Sequence, residues 1–259
     1  MSFVNVEIKD GHWAEIQLDR PEAHNAISTA MAEDLVAACA RVASEPGVRA
    51  VVISSTGEKS FCVGADLKER NSFSDAQLLQ QRLVFRQAFG AVRQLPVPSI
   101  AAVHGFALGG GLEIALSCDL IVADETAVLG LPEVRVGLVP GGGGTQLLSR
   151  RIGPSAAADL IFTARQVRID EAEALGLVNR RVSAGQDRSA AAELAAQIAV
   201  NSPVGLRNAK HALVAGPEVH LDAGLDIEDG AWRATAFSGD RHEGIAAFNE
   251  KRVPAWPGA

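Results

Sequence analysis

Chemistry in this 259-residue chain has few places to reside. Ten of its 25 glycines fall between Gly105 and Gly144: Gly105, Gly109, Gly110, Gly111, Gly130, Gly137, Gly141, Gly142, Gly143 and Gly144. Glycine admits positive φ and close backbone approach, so the clusters point to a ligand held by main chain. Beside them stand two carboxylates. Glu113 lies three residues past Gly110, about one helical turn away. Glu133 follows Leu131-Pro132, where the proline fixes the backbone ahead of the second cluster. Read alone, each is most simply a solvated acid.

Several familiar chemistries lack their signatures. Neither cluster contains G-x-G-x-x-G, and no G-x-x-x-x-G-K-[ST] or G-x-S-x-G occurs, which argues against dinucleotide, P-loop and serine-hydrolase sites. The six histidines (His12, His24, His104, His211, His220, His242) show no spacing suited to zinc, and no metal site is expected. Cys39, Cys62 and Cys118 form no C-x-x-C pair, and an odd count in a long chain favours a reducing compartment. Cys118 could join Asp119 and His104 in a thiol site, but its apolar run IALSCDLIVA reads as a buried, inert thiol.

Charge and hydropathy narrow the partners. With 24 Lys and Arg against 31 Asp and Glu, a net charge of −7 disfavours nucleic acid and anionic membranes. The longest uncharged stretch, Gln94 to Leu112, carries two prolines and four glycines and is unsuited to crossing a membrane. No basic segment leading into an apolar run opens the chain, so a soluble, cytoplasmic protein is expected.

The elements that must position these residues are legible from their periodicity. Val4–Ile8 and Trp13–Leu18 alternate around Asp10-Gly11, a hairpin signal. Ser28 can cap a helix running to about Ser44, with Met31, Leu35, Ala38 and Val42 on one face. Ala50–Ser54, Ser99–Val103 and Leu120–Ala123 read as buried strands, separated by an amphipathic helix from Ser74 to about Val92 and a helix start near Gly110. Alternation from residue 50 to about 182 predicts an α/β fold with parallel strands buried on both faces. From Gln186 the chain turns Ala-rich and helical, broken at Pro203, Gly216-Pro217 and Gly239. The expected division is a core over 1–185 that holds the site and a helical C-terminal subdomain over 186–259.

Five segments carry a resemblance. SFCVGADLK (60–68), HGFALGGGLE (104–113) and LPEVRVGLVPGGGGTQ (131–146), preceded by DRPEAHNA (19–26) and followed by FNEKR (248–252), resemble the enoyl-CoA hydratase/isomerase (crotonase) superfamily in order and spacing. The resemblance covers essentially the whole chain. It implies a crotonase-like spiral of repeated ββα units, with a helical C-terminal trimerisation region and self-association as trimer or hexamer. It also implies an acyl-CoA substrate whose thioester oxygen accepts from two backbone N–H groups, here those of Ala65 and Gly110. Such a pair suits an enolate, whose charge sits on that oxygen, and a helix N-terminus at Gly110 would add positive potential.

Glu113 and Glu133 match the two glutamates of the hydratases. In that mechanism Glu113 positions a water for attack at the β-carbon, and Glu133 supplies or receives the α-proton. Carboxylates this close cannot both ionise cheaply, so one carries a proton. Both acids together favour reversible hydration of a 2-trans-enoyl-CoA to a 3-hydroxyacyl-CoA. The alternatives are methylglutaconyl-CoA hydration, double-bond isomerisation, thioester hydrolysis or a non-catalytic acyl-CoA binder. No metal or redox cofactor is implied, and coenzyme A enters as part of the substrate.

The same motifs assign CoA and substrate contacts to Ala23, Asn25, Ala65, Asp66, Leu67, Lys68, Gly110 and Lys251, with the two lysines on the phosphates. His24 stands where the family often has Leu. Trp232 and Phe248 could wall the pantetheine, although packing into the core is the simpler expectation. Pocket depth should be set within Asn71–Phe89 and by the C-terminal helices. GADLKER (64–70) and VPGGGGTQ (139–146) look particularly like the methylglutaconyl-CoA hydratase branch, where RNA binding relies on a lysine-rich first helix. Here the helix Ser28–Ser44 sets Glu33 and Asp34 against Arg41 and has no lysine. An AU-rich RNA probe is therefore expected to pass unretained at low salt; retention that falls steeply with added salt would contradict this.

Overall fold

In the computed structural model, which describes residues 2–259, strands and helices follow one another as the periodicity predicts. The opening hairpin pairs β1 (Val4–Lys9) with β2 (Trp13–Leu18) and turns through Gly11 and His12, both at positive φ. The Ser28 side chain accepts from the Met31 N–H at 3.2 Å and opens α1 (Thr29–Ala43). Three ββα units come next. The first is β3 (Ala50–Ser55), β4 (Ser60–Cys62), α2 (Leu67–Arg70) and α3 (Asp75–Arg93), the last started by a reciprocal Ser74–Gln77 capping box. The second is β5 (Ser99–Val103), β6 (Phe106–Leu108) and α4 (Gly110–Ser117). The third is β7 (Leu120–Asp124), β8 (Val128–Gly130), a 3-10 turn over Glu133–Val136 and α5 (Gly144–Ile152).

After α6 (Pro154–Thr163), β9 (Gln166–Arg168), α7 (Ile169–Ala174) and β10 (Arg180–Val182), the chain is helical: α8 (Asp187–Ala199), α9 (Pro203–Ala215), α10 (Leu221–Ala236) and α11 (Gly239–Glu250). Each unit sends its first strand to a six-stranded sheet ordered β1-β2-β3-β5-β7-β10 and its second to a four-stranded sheet ordered β4-β6-β8-β9. Among the described strands, only the β1–β2 and β8–β9 pairs are antiparallel. This is the spiral that the sequence resemblance implied. The short second strands are the elements that periodicity did not reveal, because three residues leave no period to read.

Strands β3 and β5 are buried at every position, as parallel strands covered on both faces must be. One face carries the main core, which includes Ile16, Leu35, Ile53, Phe61, Leu112, Ile121 and Leu129. On the other face Val52, Ile100 and Val122 meet Ala191, Leu194 and Ala195 of α8. The helical region from residue 186 thus divides: α8 completes the cover of the large sheet, while α9, α10 and α11 pack on one another. Buried Lys210 ties α9 back, its Nζ donating to the Val97 carbonyl at 2.9 Å and pairing with Asp119 at 2.8 Å.

Two aromatic side chains depart from expectation. Trp232 and Phe248 are not in the core; they are 64% and 84% exposed on α10 and α11. Trp232 borders a groove of about 1180 Å³ between α9, α10 and α11, along with Leu213, Leu221, Leu225 and Ile245. The periodicity of an amphipathic helix shows that a face is apolar, and does not show what it packs against.

Glycine is obligatory where α4 meets β4. A Cβ at Gly111 would lie 2.0 Å from the Cys62 carbonyl oxygen, whereas one at Gly90, inside α3, would meet nothing within 4 Å. Gly111→Ala should therefore cost on the order of 3 kcal/mol through forced backbone movement. Gly90→Ala should add about 0.5–1 kcal/mol by relieving the entropic weakness of a helical glycine. Denaturant midpoints of the two variants check both signs.

Candidate active site

The end of β4 runs into Gly64-Ala65-Asp66. The Ile27 N–H donates to the Gly64 carbonyl at 2.8 Å and the Asp66 N–H donates to the Ile27 carbonyl at 2.9 Å. That bridge turns the Ala65 N–H the other way, and it has no partner among the described residues. Asp66 then caps α2, accepting from the Lys68 and Glu69 N–H groups at 2.9 and 3.2 Å, and pairs with Arg20 at 2.7 Å. Burial alone would raise the Asp66 pKa, but these donors outweigh it and hold the carboxyl below its ordinary range.

Opposite this turn, Gly109 sits at φ 53° and ends β6, and Gly110 begins α4. The Gly110 N–H is the first of the helix and has no partner within it, so it carries the positive end of the helix dipole. The two turns touch. A Cβ at Gly64, itself at φ 90°, would stand 3.0 Å from the Gly110 nitrogen and 2.9 Å from the Leu108 carbonyl oxygen. Two unpartnered amides are thereby brought to the same cavity wall.

One turn into α4, Glu113 is 3% exposed. Its Oε1 accepts from the Gly142 N–H at 2.6 Å and from the Gly144 N–H at 2.8 Å. A Cβ at Gly142 would come within 2.7 Å of Glu113 Oε2, and one at Gly144 within 2.9 Å of Oε1. The second glycine cluster is therefore a clamp for a carboxylate. Burial raises the Glu113 pKa, opposed by the two N–H donors and by the charges of Arg82 and Arg70.

Glu133 opens the 3-10 turn after Pro132, and a Cβ at Gly109 would stand 2.9 Å from its Oε1. Its Oε2 is buried without a hydrogen-bond partner among the described residues. Burial, followed by the neighbouring Glu113 charge, pushes its pKa up to about 7. The two acids are therefore unequal. Glu113 is held by donors that favour its anion, and Glu133 has an oxygen free to carry a proton near neutrality.

Both acids and both amides line one cavity of about 640 Å³. Its apolar walls include Leu67, Phe85, Phe89, Leu138 and Val139, with Leu78 and Leu79 from the segment expected to set its depth. Among the described residues, none from a C-terminal helix contributes to that wall. Three arginines that sequence reasoning did not single out also line it: Arg70, Arg82 and Arg135. Arg70 is fixed, its Nε donating to Gln81 Oε1 at 2.7 Å and its guanidinium lying 5.0 Å from the Phe85 ring centroid. The signal for Arg82 was present, since it shares a helical face with Phe85 and Phe89 at i+3 and i+7.

The remaining expected contacts lie outside this wall. Ala23, Asn25, Asp66, Lys68 and Lys251 do not line the cavity. Asn25 is turned inward: its Oδ1 accepts from the Arg20 N–H at 2.8 Å, and its Nδ2 donates to the Thr56 and Ser60 carbonyls at 2.9 and 3.1 Å. That amide latches the loop to β4, leaving only main chain for a ligand. Lys68 and Lys251 are exposed, the latter at positive φ after α11. Cys118 is buried, and burial pushes its thiol pKa up, as for an inert cysteine.

Comparison with known proteins agrees with this fold. A family model described as enoyl-CoA hydratase/isomerase matches residues 9–259. The putative enoyl-CoA hydratase/isomerase YngF of Bacillus subtilis (strain 168) is 43% identical over 251 residues, covering 97% of this chain and 96% of YngF. The mitochondrial methylglutaconyl-CoA hydratase of Homo sapiens is 41% identical over 245 residues, covering 93% of this chain and 72% of that protein. Among solved structures, the crystal structure of an enoyl-CoA hydratase from Bacillus anthracis superimposes with a TM-score of 0.97 at 40% identity, covering all of both chains. The match along nearly the full length, on a spiral whose two facing glycine turns line one cavity with a buried and a half-buried glutamate, places this chain in the enoyl-CoA hydratase/isomerase (crotonase) family.

Proposed function

We propose that the protein catalyses the reversible hydration of a 2-trans-enoyl-CoA to a 3-hydroxyacyl-CoA. The observation that carries this reading is the inequality of the two acids. Glu113 has one oxygen held by two backbone donors, and Glu133 has a buried, unpartnered oxygen and a pKa near 7. One anion and one proton on facing carboxyls are what the addition of water across a double bond requires. Isomerisation and thioester hydrolysis give no reason for keeping both.

In this reading the thioester oxygen accepts from the Ala65 and Gly110 N–H groups, which stabilise the enolate as charge moves onto it. Glu113 takes a proton from a water whose oxygen bonds to the β-carbon. The electron pair of the double bond passes through the α-carbon, which takes the proton from Glu133. The two acids end with their protonation exchanged, and proton exchange with solvent restores them. Coenzyme A takes part only as a portion of the substrate. Self-association belongs to the same reading: the apolar groove of α9, α10 and α11 and exposed Trp232 suit contact between copies, giving a trimer or hexamer of the 27.1 kDa chain.

Turnover of a panel of 2-enoyl-CoAs, followed by loss of the enoyl ultraviolet absorbance, tests the assignment. Glu113→Gln and Glu133→Gln should each lower kcat/KM by roughly 10²–10⁴; unchanged turnover in both removes the mechanism. The pH profile of hydration has a direction. Hydration needs Glu133 protonated, so its kcat/KM should be highest below about 7 and fall as pH rises through that value. The reaction takes up and releases no net proton, so its equilibrium constant is independent of pH and the kcat/KM for dehydration of a 3-hydroxyacyl-CoA must follow the same profile. A kcat/KM for hydration that does not fall through that pH would assign the α-proton to another group.

A further inference from the structure

Of the three arginines on the cavity wall, Arg70 alone is half-buried; Arg82 and Arg135 are exposed. It arrives with the donor turn itself. Asp66, next to the Ala65 amide, caps α2, and the Arg70 N–H closes that helix on the Asp66 carbonyl at 3.1 Å. Burying a guanidinium costs free energy that a carboxylate partner usually offsets, and burial is the largest influence lowering the Arg70 pKa. Yet Arg70 forms no ion pair among the described residues. Its partners are neutral: Nε donates to Gln81 Oε1 at 2.7 Å, and the guanidinium lies 5.0 Å from the Phe85 ring centroid.

Gln81 is 2% exposed, and its Nε2 donates to Thr29 Oγ1 at 2.8 Å and to Glu69 Oε2 at 2.9 Å. Glu69 in turn accepts from the Thr29 N–H at 3.0 and 3.2 Å. A carboxylate only accepts, so the amide nitrogen must face Glu69 and the amide oxygen must face Arg70. This network joins α1, α2 and α3 and fixes the Arg70 Nε without cancelling its charge, as a carboxylate at position 81 would. Facing Glu113 and Glu133 are Arg70 from α2, Arg82 from α3, Arg135 on the turn of Glu133, and each other; β4, β6, α5 and α6 bring no charged side chain to the cavity wall. After burial and the backbone donors, Arg70 favours the anion of both acids, and they favour its cation. Arg82 also acts on Glu113, but from an exposed position where water screens it.

We propose that Arg70 is a positioning residue that acts through Glu113 and Glu133: a fixed cation, tethered by Gln81, that keeps this pair of acids at one shared proton near neutral pH. This rests on the hydratase reading of the same cavity. Water addition and its reversal both need the pair to hold one proton, on Glu133 before hydration and on Glu113 after it. A nearby cation lowers a carboxyl pKa, so its removal raises both. Glu113 is then protonated over more of the acid range, and Glu133 keeps its proton to higher pH. An acid that binds its proton too firmly passes it on slowly.

The test is the pH profile of hydration in the parent enzyme, Arg70→Gln and Arg70→Lys. In Arg70→Gln both limbs should move to higher pH, by about 0.5–1. With each profile scaled to its maximum, the variant should lie below the parent on the acid limb and above it on the alkaline limb, by about three- to tenfold on each. Arg70→Lys restores the charge and should return both limbs toward the parent. Should Arg70→Gln fail to fold, Arg70→Met keeps apolar packing on Phe85 and carries the same expectation. Limbs that stay in place, with kcat/KM lowered equally at every pH, overturn the proposal and leave Arg70 a packing residue or a substrate contact. Limbs displaced as far in Arg70→Lys as in Arg70→Gln also overturn it. If the parent hydrates none of the 2-enoyl-CoAs, the hydratase reading itself fails, and the charge effect is read without turnover. The protonated-carboxyl infrared band that Glu133→Gln removes should then titrate at higher pH in Arg70→Gln; a band titrating as in the parent overturns the proposal.

Discussion

The whole arrangement depends on two backbone turns being able to touch. Gly64 and Gly110 approach so closely that a single added carbon at Gly64 would press on the Gly110 nitrogen, and one at Gly111 would overlap the Cys62 carbonyl. Neither contact involves a side chain. The approach is set by the register of β4 against β6, two parallel strands in the smaller sheet. Bringing the Ala65 and Gly110 amides to one cavity wall follows from holding those strands at that spacing.

Electrostatics at the acids follows from the same economy of side chains. A buried carboxylate ordinarily needs a cation or several hydrogen bonds to remain charged. Glu113 obtains two of those bonds from the Gly142 and Gly144 amides, so the glycine run serves an acid rather than a phosphate. Glu133 is denied comparable donors and titrates near neutrality. Difference of environment, with identity of side chain, separates the two carboxyls.

What could be read in advance divides along physical lines. The capped helices α1 and α3 and the strands β3, β5 and β7 declared themselves through Ser28, Ser74 and runs such as AVVIS, because their length gives a period and their ends carry capping chemistry. The strands β4, β6, β8 and β9 did not, since three residues pair only where the larger sheet delivers them. Glu113 and Glu133 were legible through motif order. Asn25 was read as a ligand contact, yet its amide is spent on three main-chain partners whose positions only the folded loop defines. Arg82, Trp232 and Phe248 show the converse limit: helical phase fixes which face a residue occupies, and tertiary packing decides what that face meets.

The alternation of strands between the two sheets has a consequence for how the molecule must assemble. Because every unit contributes one strand to each sheet, neither sheet can reach its final order until the other is also being built. A half-formed intermediate would leave open edges in both layers simultaneously and an apolar interior without a lid. Such interleaving couples the fate of distant segments, so the spiral should melt as a unit and tolerate swapped loops at its rim better than the loss of any one turn.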